Sequence, residues 1–327
     1  MRNFFCLFVI TFIFCTEKAS AQRDTAKIYM KTIAGTPSTE VVVDNKDSAD
    51  FIRFIMPPDS TTGKKLFPVA DYYFNGKLKM MGTSTNFTAF INLEGKCIEF
   101  YPNGRKKIIW SYDKRGIVGD MFQFYSNGAT YISGSFVEGG FNLVACNDST
   151  GKALAENGNG IWMKYDKDLK NIIEEGPVVN GKENGEWRGR FNDTVSYSCI
   201  YKDGDFISGT SYDNKGNHYS FKNIKVEPEF LGGMDGLGRF LSKNVRYPQY
   251  ARNHKIQGRV VITFIIEKDG SVRDIKVSKS MEKSLDDEAL RVIKMCPKWS
   301  PGYLYGIPVR IQYAVPINFT LAPNNLR

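Results

Sequence analysis

Histidine is nearly missing from this chain: His218 and His254 are the only two in 327 residues. Neither stands at a metal-ligand spacing from another His, Cys or carboxylate, which excludes a zinc site of the usual kind, and no metal is expected. They also form no Ser-His-Asp or Cys-His arrangement, so the chain is not expected to be an enzyme. Gly232-Gly233-x-x-Gly236-x-Gly238 is glycine-rich but lacks the Lys-Ser/Thr of a phosphate loop and follows no strand of a βαβ unit. No cofactor is expected. Past residue 21 only Cys97, Cys146, Cys199 and Cys296 remain, without a C-x-x-C pair. Four cysteines allow three pairings and their spacing does not choose among them, although Cys296, on an apolar helix face, reads as a buried free thiol. After Gln22 no apolar run approaches the ~20 residues of a membrane span, and there is no long Pro-rich or charged spacer.

The N-terminus has Arg2, an apolar run from Phe4 to Cys15, and Ala19-Ser20-Ala21 before Gln22. This is the layout of a signal peptide over 1–21. Its 12-residue apolar core would reach about 18 Å as a helix, short of roughly 30 Å of hydrocarbon. Bulky Ile13-Phe14 before Cys15 argue against lipidation. The alternative is a retained anchor. The remaining 306 residues carry 42 basic and 34 acidic side chains, and 226–327 hold 16 and 10 of these. The excess of positive charge fits an acidic or polyanionic partner, such as cell-wall polymer, or a solvated basic surface. Export and the lack of a motif disfavour nucleic acid.

From about 70 to 221 one theme returns, an aromatic strand end followed by Asn-Gly or Lys-Gly. Its clearest copies are Tyr72-Tyr73-Phe74-Asn75-Gly76-Lys77, Phe100-Tyr101-Pro102-Asn103-Gly104-Arg105 and Phe124-Tyr125-Ser126-Asn127-Gly128. Asn159-Gly160, Asn184-Gly185, Asp203-Gly204 and Asp213–Asn217 continue it. Asn-Gly between apolar runs predicts hairpins closed by type I′ turns. Val41–Val43 and Phe51–Ile55 read as strands opening the same sheet. The expectation for 22–225 is a β-rich region of stacked antiparallel hairpins sharing aromatic faces. These residues resemble MORN-type repeats, which implies that fold and a loose association with protein or lipid binding.

Residues 226–327 change character. A helix is predicted over Phe230–Val245, ended by Tyr247-Pro248. Val260–Ile266 and Val272–Val277 form a hairpin turned at Asp269-Gly270. A second helix, N-capped by Ser284, places Leu285, Ala289, Val292, Ile293 and Cys296 on one stripe. One last strand runs from Val309 to Phe319, with Pro308 and Pro316 around it. The expectation is an α+β domain, two helices on a three-stranded antiparallel sheet, whose final strand leaves an open edge at Val309, Arg310, Ile311, Gln312, Tyr313, Ala314 and Val315. Asn244, Tyr247 and Pro248 are candidates for an adjoining groove.

Tyr247-Pro248-x-x-Ala251, Gly258-x-Val260, Asp269-Gly270, Leu285-Asp286-x-x-Ala289-Leu290, Pro297-x-Trp299-x-Pro301-Gly302 and Val309–Phe319, in this order, strongly resemble the C-terminal domain of the TonB family over about 228–319. The resemblance implies a periplasmic domain that pairs its last strand with the short "TonB box" of outer-membrane transporters. Family members draw energy from an inner-membrane motor. This chain departs from them in lacking a convincing spanning helix and a Pro-rich spacer, and in having Asn244 where enteric members have glutamine. The expectation is a periplasmic binding protein whose partner is a TonB-dependent outer-membrane transporter or another periplasmic protein. A membrane-anchored energy transducer, on the periplasmic side of the inner membrane and within a membrane complex, is the alternative. A homodimer is a further possible assembly.

Overall fold

A computed structural model of the chain describes residues 24–33, 39–58 and 65–321. The signal peptide read over 1–21 lies outside the described residues. The first strands are β1 (Ala26–Ile33), β2 (Thr39–Val42), β3 (Phe51–Ile55), β4 (Phe67–Tyr72), β5 (Leu78–Ser84), β6 (Gly95–Phe100), β7 (Lys106–Asp113), β8 (Gly116–Phe124), β9 (Thr130–Val137) and β10 (Gly140–Asn147). The described residues form two compact units, one of those up to 142 together with 147–152 and one of 143–146 with 153–321.

In the first unit the strands lie in the order β2-β1-β3 and then β4 to β9 in sequence, each pair antiparallel. β2 and β3 are the strands expected near 41–43 and 51–55, while β1 had no legible pattern. The repeat is written in hydrogen bonds between copies. Tyr73, Tyr101 and Tyr125 each donate a hydroxyl to a backbone carbonyl one copy on, at Phe100, Phe124 and Asn147, over 2.7–3.0 Å. Asn75, Asn103 and Asn127 do the same with their amides, to Pro102, Ser126 and Ser149. Each of these asparagines also accepts from its own turn, from the N–H of Lys77, Arg105 or Ala129. An amide side chain carries a donor NH2 and an acceptor oxygen, so one asparagine makes both bonds. The fourth turn has Asp148, which accepts from Thr150 and Lys152, and a carboxylate has no proton to pass onward.

The turns themselves differ from expectation. Gly76, Gly104 and Gly128 have φ between +80° and +94°, whereas their asparagines do not have positive φ. Each glycine N–H donates to the tyrosine three residues back, and the tyrosine N–H bonds the residue after glycine. This is a type I turn with a glycine bulge, not type I′. The extra residue accommodates the strand twist, so only glycine needs the left-handed region.

The second unit continues with β11 (Ala153–Glu156), β12 (Asn159–Tyr165), β13 (Ile172–Val179), β14 (Lys182–Glu183), β15 (Gly185–Asn192), β16 (Val195–Lys202), β17 (Asp205–Asp213), β18 (His218–Phe221) and β19 (Lys225–Val226). Here type I′ turns do occur, at Asn157-Gly158, Asn180-Gly181 and Asp203-Gly204, where both φ values are positive and the flanking residues pair directly. Asn159-Gly160 and Asn184-Gly185, read as turns from the sequence, lie at strand starts instead. On the covered face an aromatic ring lies over a glycine of the neighbouring strand: Trp187 over Gly176, Tyr197 over Gly189, Phe221 over Gly209. A Cβ at any of the three would collide with the ring.

The same unit ends in α1 (Gly233–Asn244), α2 (Gln249–Asn253), β20 (Gly258–Ile266), β21 (Val272–Lys279), α3 (Lys283–Lys294), β22 (Gly302–Leu304), β23 (Ile307–Val309) and β24 (Ile311–Phe319). β21, β20 and β24 form the expected three-stranded antiparallel sheet. Leu237, Leu285, Ala289 and Ile293 from the helices cover Val260, Ile262, Phe264, Val315, Ile317 and Phe319. Three details depart from the sequence reading. Pro248 opens a short helix, α2, as well as ending the first. The N-cap of α3 is Glu282, whose carboxylate accepts from the Ser284 N–H at 3.0 Å. Val309 leaves the last strand and belongs instead to β23, which makes a hairpin with β22.

Candidate peptide-binding edge

A three-stranded sheet has two edges, and the sequence treats them oppositely. On β21 the pairing with β20 slips twice, Asp274 has φ +50°, and Arg273, Lys276 and Lys279 are exposed. Bulges and edge charges of this kind discourage pairing. β24 runs opposite β20 without a register shift from Ile311 to Phe319.

The orientation of the β24 backbone follows from one hydrogen bond. Ser278 on β21 donates its hydroxyl to the Val261 carbonyl at 3.1 Å, so Val261 turns its polar groups toward β21. In antiparallel pairing both polar groups of a residue point the same way. The partner of Val261 is Pro316, which therefore turns its nitrogen and carbonyl outward, where a missing N–H costs the ladder nothing. Gln312, Ala314 and Asn318 share that direction. Ile311, Tyr313, Val315, Ile317 and Phe319 bond β20, and their side chains face the core.

Helix α1 flanks this edge. Met234, which is exposed, lies with its sulfur 3.8 Å from the Tyr313 hydroxyl. Further along, a 450 Å³ groove is lined by Gly238, Leu241, Ser242, Val245 and Tyr247 on one side and by the Pro316–Thr320 backbone and side chains on the other. Gly238 keeps the groove wide, since a Cβ there meets nothing within 4 Å.

The residues singled out in the sequence divide accordingly. Gln312 and Ala314 have outward backbone groups; Ile311, Tyr313 and Val315 do not. Val309 is in β23, opposite Gly302, because the 302–309 hairpin claims it. Arg310 is tied to Glu267 through two guanidinium nitrogens at 2.8–3.0 Å. Tyr247 lines the groove with its ring edge-on to Phe319 at 5.9 Å, and its hydroxyl donates to the Ile256 carbonyl at 2.5 Å. Asn244 donates to the Phe240 carbonyl and its own backbone carbonyl accepts from Arg291, so it is tied into the last turn of α1, outside the groove lining. Pro248 starts α2. Gly238, Leu241, Ser242 and Val245 were missed, although their spacing marks one helix face.

Trp299 is core, 3 % exposed and packed on Phe230, Phe264 and Tyr313. It is held from behind by the Asp269-Gly270 turn, where Gly270 accepts from the Trp299 N–H at 2.9 Å. Lys298 and Ser271 hold the Asp269 carboxyl well below its usual range.

An α+β domain with one blocked and one open sheet edge is thus the class of module present. Residues 243–321 match the family model described as "Gram-negative bacterial TonB protein C-terminal". This part of the chain is a TonB C-terminal domain. Among similar proteins, a protein TonB of Vibrio cholerae serotype O1 is 36 % identical over 77 residues, 23 % of this chain and 31 % of that protein. One of Helicobacter pylori is 40 % identical over 101 residues, 30 % of this chain and 33 % of that protein. The chain thus spans about a third of the length of the curated relatives it matches. An NMR solution structure of the Helicobacter pylori TonB C-terminal domain is 30 % identical and covers 27 % of this chain and 79 % of that one, with a TM-score of 0.22. Among the described residues no helix is long and apolar enough to cross a membrane.

Proposed function

We propose that residues 226–327 are a TonB-like binding module, exported by the 1–21 leader to the periplasm, that takes an extended peptide of the TonB-box kind from an outer-membrane transporter by strand addition along β24. Its role is in transport across the outer membrane. The observation that carries this reading is the pair of outward backbone donors at Gln312 and Ala314 on an edge without bulges, beside a groove of mixed polar and apolar lining. The backbone of the added strand would supply affinity, and its alternate side chains would meet α1. A proline test separates the edge from the fold. Ala314→Pro removes an outward donor, as Pro316 already does, and should abolish binding of a synthetic TonB-box peptide while the free protein keeps its NMR spectrum apart from local shifts. Ile311→Pro removes a donor to β20 and should destabilise the domain itself. Full peptide affinity in a folded Ala314→Pro variant would sink the reading.

A further inference from the structure

The segment between the repeats and the C-terminal domain is short, and the structure gives it no freedom to act as a hinge. Glu229 and Ser300 exchange both backbone hydrogen bonds, at 2.8 and 3.0 Å. Val226 pairs with Tyr303 and Lys225 with Leu304, and the Tyr305 N–H donates to the Ile224 carbonyl at 2.7 Å. The connecting chain is therefore the third strand of a small sheet built on hairpin β22–β23.

The tip of that hairpin reaches the repeat sheet of the same unit. Tyr305 and Gly306 both have positive φ, +51° and +73°, the signature of a type I′ turn. The equivalent first position of the three repeat turns is Asn or Asp; a bulky tyrosine is unfavourable there unless its surroundings hold it. They do. The Tyr305 ring stacks on Tyr197 at 4.1 Å with 13° between planes, and it meets Phe221 edge-on at 5.9 Å and Phe191 at 6.0 Å. Fully buried Ser211 donates to the Tyr305 carbonyl at 2.6 Å. A Cβ on Gly306 would sit 3.1 Å from the Tyr219 carbonyl, so the backbone approach needs glycine. At its other end the hairpin runs into β24 through Arg310 alone, and Ile311 packs over Gly302.

We propose that hairpin β22–β23 is a clamp that locks the C-terminal domain onto the last repeat strands as one rigid body, with Tyr305 as its plug. Load placed on β24 then passes through Arg310 and the hairpin into the β16–β18 strands. The clamp does not depend on what β24 binds. It is tested in the full chain lacking the leader, by ¹⁵N relaxation and by tryptic cleavage at Lys222 and Lys225. The wild-type protein should show one correlation time for residues 153–321 and resist cleavage there. Tyr305→Gly relieves the backbone strain, so the hairpin keeps its turn, but it empties the socket. In that variant the C-terminal domain should tumble faster than the repeats and cleavage should rise about tenfold or more, in proportion to the opened population. Ser211→Ala, which leaves the hairpin sequence intact, should move cleavage the same way by a smaller factor. Independent tumbling in the wild type, or unchanged tumbling and cleavage in both variants, would overturn the clamp.

Discussion

Arg53 is 2 % exposed and holds Asp71 through two nitrogens at 2.8 Å, while also reaching Glu40 and the Ala89 carbonyl. Burial disfavours the guanidinium charge, but its hydrogen bonds and the charges of Asp71 and Glu40 outweigh that and raise its pKa. Arg53→Leu strands a buried carboxylate and should cost about 3–5 kcal/mol in urea unfolding. The described residues contain no disulfide; Cys97, Cys146 and Cys199 are buried and Cys296 is half-buried. Burial pushes the thiols of Cys97 and Cys296 up from 9.0 to about 11, which lowers their thiolate fraction at neutral pH about a hundredfold. Iodoacetamide should thus leave these two unlabelled in the native protein and alkylate both in guanidinium, as intact mass will show. Asp213 behaves in the opposite sense. Hydrogen bonds from the Asn217 side chain and from backbone N–H groups lower its pKa from 3.8 to about 2. A depressed carboxylate stabilises the folded turn above its ordinary pKa and loses that contribution as pH falls through the folded value. The turn between β17 and β18 should loosen between about pH 4 and 2, read from the Asp213 carboxyl ¹³C shift.

At the scale of elements, the repeat depends on residue types whose physical roles can be removed one at a time. Asn103→Asp keeps the acceptor for the Arg105 N–H but loses the donor to the Ser126 carbonyl, and should cost about 0.5–1.5 kcal/mol. Gly176→Ala forces a methyl into the Trp187 ring, which is fully buried, and should cost about 1–3 kcal/mol through overpacking. Thermal unfolding of both variants checks the order. Neither role was fully legible beforehand. Asn-Gly announced a turn, since glycine and asparagine favour tight reversals, but whether one or two residues take positive φ depends on how the flanking strands pair. The α3 cap shows the same limit. Ser284 looked like the cap, yet Glu282 took it, because Ser280 and the Met281 N–H are occupied by Asp286 and fix where the chain turns.

For the whole molecule, the export reading predicts a species beginning at Gln22 in the periplasmic fraction of its host. A full-length species in the inner membrane would favour the membrane-anchored energy transducer instead. Division of the chain at 225 also has a measurable consequence. A fragment of 226–327 would keep the β21-β20-β24 sheet, whose core is its own, but would leave Tyr305 without its socket. Hydrogen exchange at Leu304–Ile307 should then be faster in the fragment than in the full chain, and equal rates would argue against the dock.

The sequence by itself determined what short-range chemistry can specify: the hairpin repeats, the Asp269-Gly270 reversal, the apolar stripe of α3, and a last alternating strand. Each is set by residues within one turn or one period of each other. Tertiary structure alone decided which backbone groups of β24 face outward, because that depends on Val261 and Ser278 on two other strands. It also decided that Val309 leaves the final strand for the 302–309 hairpin, because the partners that hold Tyr305, from Phe191 to Ile224, come from as much as 114 positions earlier in the chain. Contacts across such separations leave no periodic trace in the segment that makes them, and so the open edge was legible while its direction and its mount were not.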